Sequence, residues 1–127
     1  MERPMPLPIF LLLAALNEAV FGVGFLLVPD MTVAPMGVVL NPAASMIARI
    51  LGAALIFMAL IFFWIRGASA SDAKTAVMRA ACIYYVISAV PIIVGITSGL
   101  ANASAWGTVA IHVLLAFGFW HFGFRKS

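Results

Sequence analysis

Apolar residues in this chain fall into four long runs separated by short polar or proline-bearing links. The runs cover roughly residues 8–28, 44–65, 80–99 and 105–124. Each is about 20 residues long, the length an α-helix needs to cross a ~30 Å hydrocarbon core. Neither strict alternation nor a 3.6-residue amphipathic pattern with a polar face interrupts them, so they read as membrane spans. The expected fold is all-α, a four-span transmembrane helix bundle forming one integral membrane domain over residues 1–127.

The links sharpen this picture. Asn41-Pro42 starts the second span, with Asn at the N-cap and Pro at the first helical position, where its missing N–H costs nothing. Ser71 or Asp72 caps a helix that runs through Arg79 into the third span. Pro91 stands in the middle of that span, where a proline frees a carbonyl and commonly kinks the helix. The five residues 100–104 force the third and fourth spans into an antiparallel hairpin, and Gly95 and Gly99 have the spacing that permits close helix contact. The 29–43 link is unusual. Pro29, Pro35, Pro42 and Gly37 prevent a long helix, yet Met31, Val33, Met36, Val38, Val39 and Leu40 make it apolar. It either lies in the membrane interface or covers the mouth of the bundle.

Composition agrees. The chain is 65% hydrophobic and 9% charged, against about 25% charged in a soluble domain. The N-terminal run is longer than a signal-peptide core and no small-x-small cleavage site follows it, so it reads as a retained first span. The net charge of +3 does not indicate nucleic acid, because the basic residues mark topology instead. Arg3, Arg66, Lys74, Arg79, Arg125 and Lys126, six of the seven Lys and Arg, fall on one side of the spans. The positive-inside rule then puts both termini and the 66–79 link in the cytoplasm. The expected location is a bacterial-type inner membrane. Cys82, the one cysteine, reads as a buried thiol and allows no internal disulfide.

Candidate chemistry is confined to a few polar residues within the spans. Glu18 stands in the run Ile9–Val28, about 15 Å from its outer end. An ionisable side chain at such depth costs at least ~2.5 kcal/mol and normally faces a bundle interior or a wet cavity. Asn17 is its neighbour, and Ser88 lies near mid-depth on the third span. Arg49, ~8 Å deep, and His112, ~10 Å deep, are at comparable levels. Arg49 is the one basic residue that departs from the topology rule. It either pairs with Glu18 or reaches the outer headgroups. Glu18, Arg49 and His112 form the expected polar centre for a ligand or a proton, with the Glu18 carboxylate approaching Arg49 or His112, directly or through one water. His112 and His121 are nine residues apart and face opposite sides of one helix, which speaks against shared ligation. No metal site or cofactor is expected, and no phosphate-binding loop, Gly-x-Ser-x-Gly or His-Glu-x-x-His occurs.

Two resemblances follow from these residues. Glu18-x-x-Phe21-Gly22-x-x-Phe25-Leu26-Leu27-x-Pro29, followed by Ala48-Arg49-Ile-Leu-Gly52-Ala53-Ala54-Leu55, resembles the DoxX-like group of small four-helix bacterial inner-membrane proteins. That resemblance implies a fold class. The placement of Glu18 in Leu11-Leu-Leu-Ala-Ala-Leu-Asn-Glu-Ala-Val20 is similar to the first-span glutamate of small multidrug resistance transporters. It implies a proton-linked carboxylate, although that family's aromatic and glycine-rich pattern in the second and third spans is missing here. The function expected is non-enzymatic: an accessory or binding protein that packs against a membrane-protein partner or its own copy, or holds a small apolar ligand between helices. The alternative is a proton-coupled transporter using Glu18. An enzyme would lack a nucleophile or metal site.

Overall fold

The computed structural model describes residues 5–125; Arg3 and Lys126, two of the topology markers, lie outside the described residues. The fold class is all-α. Five α-helices occur among the described residues: α1 (Leu7–Leu27), α2 (Pro29–Val33), α3 (Pro42–Ile65), α4 (Asp72–Thr97) and α5 (Trp106–Phe124). Four helical stretches are long and apolar enough to cross a membrane, the last of them counted from Ala103 to Phe124. The chain divides into two compact units, one holding α1, α2 and α3, the other α4, α5 and the segment Pro35–Val38.

In the first unit α1 and α3 run antiparallel. Their buried residues follow a heptad-like spacing: Leu11, Ala15, Glu18 and Gly22 on α1, and Ala48, Gly52, Leu55, Ala59 and Phe62 on α3. Small residues dominate, and their effect is visible where the helices cross. A Cβ on Gly52 would lie 2.5 Å from the Leu26 nitrogen and 2.6 Å from the Gly22 carbonyl oxygen. A Cβ on Gly22 would lie 3.0 Å from both the Gly52 oxygen and the Ile56 nitrogen. The two backbones touch. Lipid offers no hydrophobic gain for helix association, so van der Waals contact of this kind is the main adhesive.

α1 stops at Val28, whose N–H bonds the Gly24 carbonyl at 2.9 Å. Pro29 then opens α2 and is itself among the most buried side chains. Thr32 returns both its N–H (3.0 Å) and its hydroxyl (2.9 Å) to the Val28 carbonyl. Gly24 makes room for this return, because a Cβ there would meet Thr32 Oγ1 at 2.8 Å. The prolines of the 29–43 link thus allow a five-residue helix and a 3-10 turn, Ala34–Met36, rather than an irregular stretch. Asn41 caps α3 as expected, accepting from the Ala44 N–H at 2.8 Å.

In the second unit Ser71 caps α4 by accepting from the Lys74 N–H at 3.1 Å. The helix continues through Pro91 to Thr97. Gly99, at φ +81°, then reverses the chain: its N–H reaches the Ile96 carbonyl (3.2 Å), and the Ala101 N–H reaches the Gly95 carbonyl (3.0 Å). α4 and α5 pack antiparallel, with Arg79 beside Gly123 near one end and Tyr85 stacked on Phe119 further along. The segment at Pro35–Met36 is held to the link before α5. The Asn102 N–H bonds the Met36 carbonyl at 2.8 Å, and the Asn102 side-chain amide bonds the Pro35 carbonyl at 3.1 Å.

The expected close contact through Gly95 and Gly99 does not occur. A Cβ at either position would meet nothing within 4 Å. Gly99 is needed for its positive φ, and the close crossing belongs instead to Gly22 and Gly52. Glycine spacing alone does not say which helix faces are opposed. Gly52→Ala should therefore lower the melting temperature in detergent, by the ~1–3 kcal/mol typical of overpacking or more. Gly95→Ala should be neutral or stabilising by up to ~1 kcal/mol. The reverse order in thermal unfolding would contradict the crossing.

Candidate functional site

Glu18 is 3% exposed and belongs to the buried stripe of α1, one turn before Gly22 on the face that α3 covers. The buried residues of α3 in that seam are alanine, glycine, leucine and phenylalanine. Asn17 is half-buried, and its side-chain amide donates to Glu18 Oε1 at 3.2 Å. This neighbour explains part of how the seam tolerates a carboxyl group, since a buried polar group must be hydrogen-bonded to be affordable. The Asn17 carbonyl oxygen remains as an acceptor next to the carboxyl group. Chemically, the pair can hold a proton, accept from an N–H or O–H donor, or face a cationic group.

Arg49 is not at Glu18. Its Nη1 donates to the Leu26 carbonyl at 2.6 Å and lies 3.4 Å from the Leu27 carbonyl. These are among the last carbonyls of α1, which have no acceptor role within the helix, and they carry the negative end of its dipole. Leu26 is eight residues beyond Glu18, or ~12 Å along the axis. The expected Glu18–Arg49 contact, direct or through one water, is therefore corrected. The guanidinium is drawn to the nearer and unsatisfied carbonyl end, and the carboxyl group is left two turns deeper. The same interaction accounts for the one basic residue that departs from the charge bias. Arg49 stands where α1 ends.

His112 belongs to the second unit. Its Nδ1 donates to the Thr108 carbonyl at 2.8 Å, one turn back on its own helix. Its ring meets Tyr85 edge-on at 5.6 Å. Tyr85 is 1% exposed and stacks on Phe119 at 5.6 Å and 16°. Tyr85 thus lies against two α5 rings seven residues apart, a role that the sequence reading passed over. The signal was present in the His112/Phe119 spacing, which places both rings on one helix face. Ser88 donates its hydroxyl to the Tyr84 carbonyl at 2.7 Å. That leaves its oxygen as an acceptor. His121 is linked to Arg125 at 3.3 Å and to the Phe122 ring, and so has no partner in common with His112.

Cys82 is buried, as expected. Among the described residues no three of His, Cys, Asp and Glu come together. No family model, curated protein or solved structure matches the chain.

The separation of Glu18 from Arg49 has a measurable consequence. Glu18→Gln and Arg49→Met should change stability additively, within ~0.5 kcal/mol, because groups this far apart with no shared partner do not couple. A coupling well above ~1 kcal/mol in the double-mutant cycle would restore the direct pair.

Proposed function

We propose that this chain is a multi-pass inner-membrane protein with both termini in the cytoplasm, acting as a non-enzymatic accessory or binding protein centred on Glu18. The observation that carries this reading is a carboxyl group 3% exposed in an otherwise apolar seam. Such a group is expensive in a membrane and is retained where a ligand, a partner or a proton uses it. The four long apolar helices support the membrane location, and the Lys/Arg bias of the links supports the orientation. The many apolar side chains at the surface, among them Val20, Ile50, Phe57 and Leu114, suit lipid or a membrane-protein partner.

The likeness to DoxX-like proteins rests in part on residues of the α1–α3 seam: Glu18, Gly22, Ala48 and Gly52. We take it as support for a shared two-helix core. The rival reading, a proton-coupled transporter, draws on the same carboxyl group, and function separates the two.

Mild-detergent extraction of wild type and of Glu18→Gln should decide. Under the accessory reading, wild type carries a stoichiometric companion, protein or small apolar molecule, identified by mass spectrometry. The Glu18→Gln chain melts as a folded protein without it. Wild type that extracts alone and empty would contradict the reading. Proton movement across proteoliposomes on addition of a lipophilic cation, lost in Glu18→Gln, would favour the transporter.

A further inference from the structure

The second unit contains a feature that the Glu18 reading does not use. Cys82 and Val86 of α4 and Ala116, Phe117 and Trp120 of α5 line an open-sided groove of about 410 Å³. That volume falls within the ~300–1,000 Å³ range of ligand clefts. The lining is almost wholly apolar. Val86, Phe117 and Trp120 are 55%, 64% and 45% exposed, so the groove opens outward on the surface of a chain whose helices are built for lipid.

A charge stands one helical turn beyond the groove. Arg79 precedes Cys82 by three residues, which puts it on the same face of α4 one turn further on. On α5 the series Phe117, Trp120, Phe124 likewise follows one face, with Phe117 and Trp120 rings 5.8 Å apart. The two lines converge: the Arg79 guanidinium lies 5.3 Å from the Phe124 ring centroid. Its Nε donates to the Gly123 carbonyl at 2.8 Å. That fixes the guanidinium and occupies one of its five donors, with the terminal amino groups left for another acceptor.

We infer that this groove binds an anionic phospholipid, with the upper part of one acyl chain against Phe117, Trp120, Val86 and Cys82 and the phosphate at Arg79. An apolar cleft with a fixed guanidinium just beyond one end matches an amphiphile, whereas a purely apolar partner helix would bury the terminal amino groups of Arg79 without an acceptor. A positive charge near the membrane surface contributes ~1 kcal/mol toward anionic lipid, about a fivefold preference. This inference is independent of Glu18.

The test uses Trp120 as reporter in the Trp64→Phe/Trp106→Phe chain, reconstituted with lipids brominated on the acyl chain, which quench indole on contact. Brominated phosphatidylglycerol should quench about fivefold more effectively than brominated phosphatidylcholine at equal mole fraction. Arg79→Gln should bring the two to parity while leaving quenching by phosphatidylcholine unchanged. Ala116→Phe, which fills the groove and keeps Arg79, should reduce quenching by both; it serves on its own if Arg79→Gln does not fold. Equal quenching by the two lipids in the parent chain would overturn the inference, as would an anionic preference that survives Arg79→Gln. Efficient Cys82-to-Cys82 cross-linking between copies would overturn it too, by seating a second chain in the groove.

Discussion

The contact on which the first unit depends is backbone against backbone at Gly22 and Gly52. With no side chain on either residue, the Gly22 carbonyl and the Leu26 nitrogen approach within about 2.6 Å of where a Gly52 Cβ would stand. Everything along the α1–α3 seam follows from that spacing. Alanines at 15, 48 and 59 are the size that a close crossing admits, and Leu11, Leu55 and Phe62 fill the seam where more room is needed. Glu18 falls within this seam because the heptad-like register that buries Leu11, Ala15 and Gly22 passes through residue 18. Its burial follows from helix packing and does not depend on Arg49, which is bonded to the end of α1.

A second constraint governs the arginines. A helix leaves its last four carbonyls without intrahelical donors, and in lipid such groups have no water to turn to. Arg49 serves the end of α1, Arg79 the end of α5, and Arg66 the Phe63 carbonyl of its own helix α3, with its guanidinium over the Phe63 ring at 3.7 Å. α4 ends differently, in the glycine-dependent reversal at Gly99. Charges that hydropathy patterning reads as topology markers are at the same time helix caps.

Much of the fold was legible from patterning. The four apolar stretches, the Asn41-Pro42 start of α3, the Ser71 cap and the antiparallel α4–α5 hairpin all rest on local chemistry that needs no tertiary information. What was not legible depended on which faces meet. Gly95 and Gly99 have the same spacing as a packing motif, but their faces meet nothing, and Gly22 and Gly52, far apart in sequence, form the contact. Depth along a span was likewise an incomplete guide to pairing. Arg49 and Glu18 seemed close enough in level to meet, yet the side chain of Arg49 is long and followed the stronger local demand of two free carbonyls. Asn17 beside Glu18 was visible from adjacency. The Tyr85 contacts needed α4 and α5 to be superposed in register.

The central claim is that the tight α1–α3 crossing, and not an ion pair with Arg49, keeps Glu18 sealed. Reaction of the Glu18 carboxyl group with a lipid-soluble carbodiimide, read by mass spectrometry of the residue-18 peptide, tests it directly. In native membranes the wild-type carboxyl group should react slowly. It should react much faster in Gly52→Leu, which wedges the helices apart, and at the wild-type rate in Arg49→Met. Rapid labelling of wild type, or acceleration by Arg49→Met in place of Gly52→Leu, would contradict the account.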